Sequence, residues 1–317
     1  MPNKKQVLVF LAFLFVLPFL YDAGARRLLA SDPIAALVHR ATIAPPAFLA
    51  IGSSRVAAGL DTNVFESGLV IWSVPFMDIP MMDMVIRKHE EVLKKSGQVF
   101  LEFSPEMFFI QTLRHQPEGM QALAAMGLRP GLQGFYFSDP RQWQVGAVFS
   151  ALTQVRLTPR EILQKNEDRR AGFRRESPGG IGNGGFLPRP RTASAEELRA
   201  SSRLLANMVD KYENREAENR SVRIFRKMNA WLSERGIRYC WLEMPKSDEF
   251  LEARTRADRR IKAAVADLLS EHSCFSNESF VKVRSDLKFQ DANHLQAEGA
   301  FLFSKFLFEE RAPRGRF

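Results

Sequence analysis

Two short stretches of this 317-residue chain hold residue types that can carry out acyl chemistry. The first is Ile51-Gly52-Ser53-Ser54-Arg55, which follows the apolar run 47–51 (AFLAI). A serine at a strand-to-helix turn is exposed at the carboxyl edge of a sheet, where open α/β sheets place their sites. Small neighbours let a substrate approach the backbone, and amides at the start of the following helix can stabilise an oxyanion. Taken alone, Ser54 reads first as a helix-capping serine. The second stretch is Asp291-Ala292-Asn293-His294, just before the last helix. An Asp-x-x-His turn can set both side chains at one edge, the histidine as general base and the aspartate orienting its ring. Taken alone, Asp291 reads as a helix cap and His294 as a surface residue. Together, Ser54, His294 and Asp291 form a candidate nucleophile, base and orienting carboxylate.

The elements that must position these groups follow from hydrophobic patterning. Strands are expected at 47–51, 70–74 (VIWSV), 98–103 (QVFLEF) and 237–244 (IRYCWLEM), with a fifth at 280–283. Between them the pattern predicts helices: 78–96, with Lys94 and Lys95 near its end; 221–235, stopped by Gly236; 251–269; and 297–309. Residues 55–66 fit a helix or a loop. Ser194-Ala195-Glu196-Glu197 is a capping box, in which Ser194 and Glu197 satisfy one another's amides at a helix start. Alternating strands and helices imply an α/β domain with a mostly parallel sheet and helices on both faces.

The stretch 105–193 breaks this rhythm and reads as an insertion or lid within the domain 29–317. It holds an aromatic segment, 134–143, and the loop SPGGIGNGGFLPRPR at 177–191, whose glycine and proline density predicts mobility. Residues 156–203 carry eleven Lys/Arg against six Asp/Glu, net +5 of the chain's +9. Such a stretch reads as a solvated lid, or as a holder for an anionic glycan or lipid headgroup, rather than as a nucleic-acid surface. GGIGNGG follows no strand and lacks the Lys-Ser/Thr ending of a phosphate loop. His39, His89, His115 and His272 have no ligand-like spacing with cysteine or carboxylate, so neither a metal nor another cofactor is expected.

Compartment is read from residues 1–28. Lys4 and Lys5 precede a charge-free run, 7–20 (VLVFLAFLFVLPFL). Fourteen helical residues span about 21 Å, short of a hydrocarbon core of about 30 Å, and residues 21–25 bring the run nearer spanning length. It fits an uncleaved signal anchor with its lysines in the cytoplasm. It also fits a cleaved signal peptide ending at Ala23-Gly24-Ala25. Either reading puts the rest of the chain outside the cytoplasm, and the anchor would also keep it close to a membrane. Cys240 and Cys274 are too few for a disulfide scaffold. One bond between them suits an exported domain, and Cys240 equally suits a small core position.

The pairing of GSSR at 52–55 with DANH at 291–294, at the two ends of a domain of this size, resembles the SGNH/GDSL hydrolases. Ser54 matches the serine of that family's Gly-Asp-Ser block, with Ser53 standing in place of the aspartate. Asp291 and His294 match its C-terminal block. The Gly-Ser-Ser form after an N-terminal anchor looks like the branch containing DltD, a protein of teichoic-acid D-alanylation, and the alginate-type O-acetyltransferases. The resemblance implies a three-layer, flavodoxin-like SGNH-hydrolase sandwich preceded by one N-terminal membrane helix. It also implies serine acyltransferase or esterase activity on acyl esters of a cell-envelope glycan or lipid, with a membrane-bound O-acyltransferase as partner. The family supplies an oxyanion glycine after its second strand and an asparagine after its third. Val74-Pro75-Phe76 and Phe103-Ser104-Pro105-Glu106 stand there instead, which leaves open a non-catalytic scaffold that keeps the fold.

Overall fold

The computed structural model describes residues 33–66, 68–75, 77–108, 123, 126–128, 185–189, 191–212, 214–253, 256–276 and 287–311. The apolar run 7–20, His115, the aromatic segment 134–143, the loop 177–184, the strand expected at 280–283 and the arginine-rich stretch up to residue 184 lie outside them.

Five strands form the central sheet: β1 (Phe48–Gly52), β2 (Leu69–Ser73), β3 (Gln98–Glu102), β4 (Tyr239–Leu242) and β5 (Ser273–Phe275). Their spatial order is β2-β1-β3-β4-β5, and every pairing is parallel. This is the flavodoxin-like doubly wound order. The chain leaves β1 for β2 on one side and then returns to β3 on the other. That reversal opens a crevice at the carboxyl end of β1 and β3, where such sheets take their ligands.

Strand periodicity divides the core into two faces. On one side of the sheet Leu49, Ile51, Val70, Trp72, Val99, Leu101 and Trp241 are buried. They pack under α1 (Pro33–Ile43), α3 (Ile79–Lys88), α4 (Glu90–Lys95), α6 (Arg215–Glu234) and α8 (Arg256–Ala264). On the other side Phe48, Ala50, Leu69, Ile71, Phe100 and Leu242 pack under α2 (Ser54–Gly59) and α10 (Ala297–Arg311). Burying one such Leu, Ile or Phe side chain contributes about 1.5–3 kcal/mol. The strand that leads to Ser54 is therefore pinned from both faces. Between α4 and α10 in chain order come a 3-10 turn (Pro105–Phe108), α5 (Ala195–Tyr212), α7 (Asp248–Glu252), α9 (Ala266–His272) and a small antiparallel hairpin, β6 (Phe289–Asp291) with β7 (His294–Leu295).

Several boundaries differ from the patterning. The helix expected over 78–96 is two helices. His89 ends α3 and begins α4, with its ring edge-on to Trp72 and Nε2 bonded to the Met126 carbonyl. An inward-turned histidine interrupts what periodicity alone extends. The helix expected over 251–269 is α7, α8 and α9, with a break at Val265. α6 starts earlier than expected, because Asn214 caps the amides of Glu216 and Ala217. The capping box forms as expected at Ser194 and Glu197. Residues 185–189 of the glycine- and proline-rich loop lie against the domain. Phe186 is buried, Leu187 N–H donates to Ala57 O, and Ala297 N–H donates to Arg189 O. Cys240 and Cys274 form a disulfide between the neighbouring strands β4 and β5.

Candidate active site

Ser54 stands at the first position of α2, directly after β1. Ser53 is the helix cap and receives the Arg55 amide on its hydroxyl. The capping role that a lone serine suggests therefore falls to Ser53, and the Ser54 side chain is left for other use. Ser54 is half-buried, whereas Ser53 and Arg55 on either side are buried.

The far end of the chain reaches Ser54 because α2 packs against both α10 and β7. In the β6–β7 hairpin, Asp291 and His294 are paired residues on opposing strands. The turn between them is held from two sides: Ala292 N–H donates to Ser201 Oγ (3.0 Å), and Ser247 N–H donates to Ala292 O (3.1 Å). Asp291 Oδ1 also accepts the amides of Asn293 (3.1 Å) and His294 (2.9 Å).

This placement brings the three expected residues together. His294 Nε2 is 3.0 Å from Ser54 Oγ, and His294 Nδ1 lies 3.0 and 2.9 Å from the two carboxylate oxygens of Asp291. An ionised carboxylate only accepts, so Nδ1 carries the ring proton. Nε2 is then free to accept the Ser54 hydroxyl, the arrangement a general base needs. Burial pushes the Asp291 carboxyl up. The His294 ring and the two backbone amides more than offset this and hold it below the ordinary carboxylate value.

Oxyanion donors are fewer. The Val74 amide, where an oxyanion glycine is absent, donates to Gly52 O at 2.9 Å. The Ser53 amide is taken by Glu102. The Ser54 amide, at the first helical position, has no intrahelical acceptor and remains for a developing oxyanion.

Beneath the Ser54 turn lies a polar cluster that the residue patterning did not single out. Arg55, Glu102, Glu106 and Lys246 are all buried, and Glu102 is fully inaccessible. Arg55 Nε is 2.7 Å from Glu102 Oε1, and Arg55 Nη1 donates to Ser104 Oγ (3.0 Å) and Glu106 Oε1 (3.2 Å). Lys246 Nζ reaches both Glu106 oxygens (2.9 and 3.1 Å) and Ser104 Oγ (3.0 Å). Burial opposes ionisation of Glu106, but Lys246 and Arg55 overcome it and hold the carboxyl far below its ordinary range. Burial likewise opposes the Arg55 charge, and Glu102 and Glu106 more than restore it. Ser104 and Lys246 have the spacing of a serine–lysine pair. Both are sealed from solvent, however, and Lys246 Nζ is held by both Glu106 oxygens, so the pair faces no substrate.

A signal for the cluster was present in the sequence. Glu102 ends an otherwise apolar strand, and period-two alternation puts it on the α2 face with Phe100. Gly52 lies beside it on the neighbouring strand. A Cβ there would collide with the Glu102 side chain and with Val56, so glycine is what lets the carboxylate in.

A separate cavity of about 580 Å³ opens on the side covered by α8 and α9, with Trp241, Phe103, Glu243 and Lys262 in its lining. Among the described residues, no group of three or more His, Cys, Asp or Glu is placed to hold a metal ion, and no helix is long and apolar enough to cross a membrane. Compared with protein-family models, curated proteins and solved structures, the chain matches none.

Proposed function

We propose that this chain is an extracytoplasmic serine acyltransferase or esterase of the SGNH type. Its substrates would be acyl esters of a cell-envelope glycan, and Ser54, His294 and Asp291 would be its triad. The observation that carries this reading is the continuous contact from Asp291 through His294 to Ser54 Oγ. Ser54 Oγ attacks the acyl carbonyl carbon and passes its proton to His294 Nε2, while Asp291 stabilises the imidazolium. The carbonyl oxygen becomes an oxyanion facing the Ser54 amide. Collapse breaks the ester bond, and the departing alkoxide takes the proton from His294. His294 then deprotonates an acceptor hydroxyl or water, which attacks acyl-Ser54 and regenerates the serine.

The charge-free run 7–20 supports an N-terminal membrane helix, with the domain held at the membrane beside a membrane-bound O-acyltransferase that supplies acyl groups. The Cys240–Cys274 disulfide suits an oxidising compartment. A second reading, a non-catalytic scaffold of an envelope acylation system, is favoured by one observation: the Val74 amide is engaged, which leaves few oxyanion donors. Losing one such donor costs about 10²–10³ in rate, so slow turnover is expected even where the triad works. The two readings separate on incubation with an activated acetyl ester. Burst release of the alcohol by wild type but not by Ser54→Ala supports catalysis, and no burst from either supports the scaffold.

A further inference from the structure

We infer that Glu102 is a positioning residue for Ser54, and that Arg55, Glu102, Glu106 and Lys246 form a buried brace that sets the alignment of Ser54 with His294. The inference rests on the reading of Ser54 as nucleophile and adds a layer of machinery beneath it. Glu102 receives the Ser53 amide and the Ser53 hydroxyl (3.1 Å), and its other strong contact is the Arg55 guanidinium. It therefore holds the residues on both sides of Ser54 and does not hold Ser54 itself. Arg55 spans from Ser53 and Glu102 across to Ser104 and Glu106, and Lys246 closes the far side. The residue after Lys246 is Ser247, whose amide holds Ala292 between Asp291 and His294. One connected path thus links the serine turn, the ends of β1, β3 and β4, and the histidine turn.

Stability alone does not account for this cluster. Each buried ion costs several kcal/mol to desolvate, and well-packed apolar residues in place of a buried ion pair are often equally stable or more so. Nor does the cluster lend charge to an oxyanion, because two cations and two carboxylates cancel. What four interlocked charges provide is a single geometry, since any slip of the turn leaves a buried carboxylate unpaired. Gly52 fits the same account, because its missing side chain is the space the Glu102 carboxylate fills.

The test uses the full chain with Glu102→Gln, Glu102→Ala and Ser53→Ala. Three readouts apply: the rate of fluorophosphonate labelling, kcat and KM on an activated acetyl ester, and the ¹⁵N resonances of the His294 imidazole. A displacement of about 1 Å at the nucleophile can cost about 10² in rate. Glu102→Ala is accordingly expected to lose about 100-fold in kcat and in labelling, with KM changed less than about twofold and the Nε2 resonance shifted. Glu102→Gln keeps an acceptor for the Ser53 amide and should recover most of that loss. If Glu102→Ala does not fold, Ser53→Ala carries the test, because it removes the hydroxyl that joins Glu102 to Arg55; about a tenfold fall in kcat is expected. Folded variants that label as fast as a labelling wild type overturn the brace and leave the nucleophile assignment intact. A wild type that never labels, while Glu102→Ala still shifts the His294 resonance, sinks the nucleophile assignment and supports the brace.

Discussion

Two polar networks share the carboxyl edge of the sheet, and they differ in access. In the Ser54 site, the His294 and Asp291 side chains are 19% and 38% exposed. In the neighbouring cluster, Glu102 is sealed and Lys246 is 3% exposed. Both are built from charged groups at hydrogen-bonding distance. Only the open one holds a hydroxyl bonded to a ring nitrogen that a substrate can reach. The sealed one has its charges matched and no group within a substrate's reach. Access, rather than the presence of charge, separates a group that reacts from a group that holds another in place.

Substitutions should separate the two networks by what they damage. The largest effect is expected at Ser54→Ala or His294→Ala, each lowering kcat by about 10⁴–10⁶-fold, with the double variant no worse than either single one, because the residues act as a unit. Chemical denaturation should show little change for Ser54→Ala. Asp291→Asn comes next, with a fall of about 10⁴, because the amide no longer fixes the proton on Nδ1. A pH-independent rate for this variant close to wild type would remove Asp291 from the mechanism. In the sealed network stability suffers as well as rate. Lys246→Met is expected to cost about 3–5 kcal/mol in urea unfolding, since it leaves Glu106 buried with one cation fewer.

The smallest effect is a pH dependence. Asp291 and Glu106 both titrate lower in the folded chain than in the unfolded one. The unfolded state therefore binds more protons in acid, and stability rises with pH across that range. Their contribution is fully present above the unfolded carboxylate values of about 3.9–4.3 and is lost as pH falls below them toward the folded values. A urea midpoint measured from pH 6 down to pH 2 should fall, and Glu106→Gln should flatten the fall. An unchanged slope in Glu106→Gln would show that the cluster does not bind its charges tightly.

Much of this arrangement was legible in the residues. β1 to β4 are short, mainly apolar runs ended in turn by Gly52, Pro75, Pro105 and Pro245, and a buried parallel sheet leaves that signature because both faces are covered. Ser54 and the Asp291–His294 pair were legible by spacing, since a strand end and a short turn fix where side chains emerge. Where the chain turns inward on a single contact, periodicity failed: His89 divides one expected helix by packing on Trp72. The charged cluster was harder still. Arg55, the Glu102–Glu106 stretch and Lys246 come from three separate segments, and apart from Glu102 at the end of an apolar strand each alone reads as a solvated side chain. Only the sheet order, which sets β1 beside β3 and β3 beside β4, shows that they meet. The disulfide was undecided for a similar reason, because Cys240 and Cys274 become neighbours only when β4 and β5 pair.

The most direct measurement is site mapping by mass spectrometry after the full chain is exposed to a fluorophosphonate. The account predicts one adduct, on the peptide that contains Ser54, and none in Ser54→Ala or His294→Ala. An adduct on another serine with Ser54 unmodified, or equal labelling of wild type and Ser54→Ala, would contradict it.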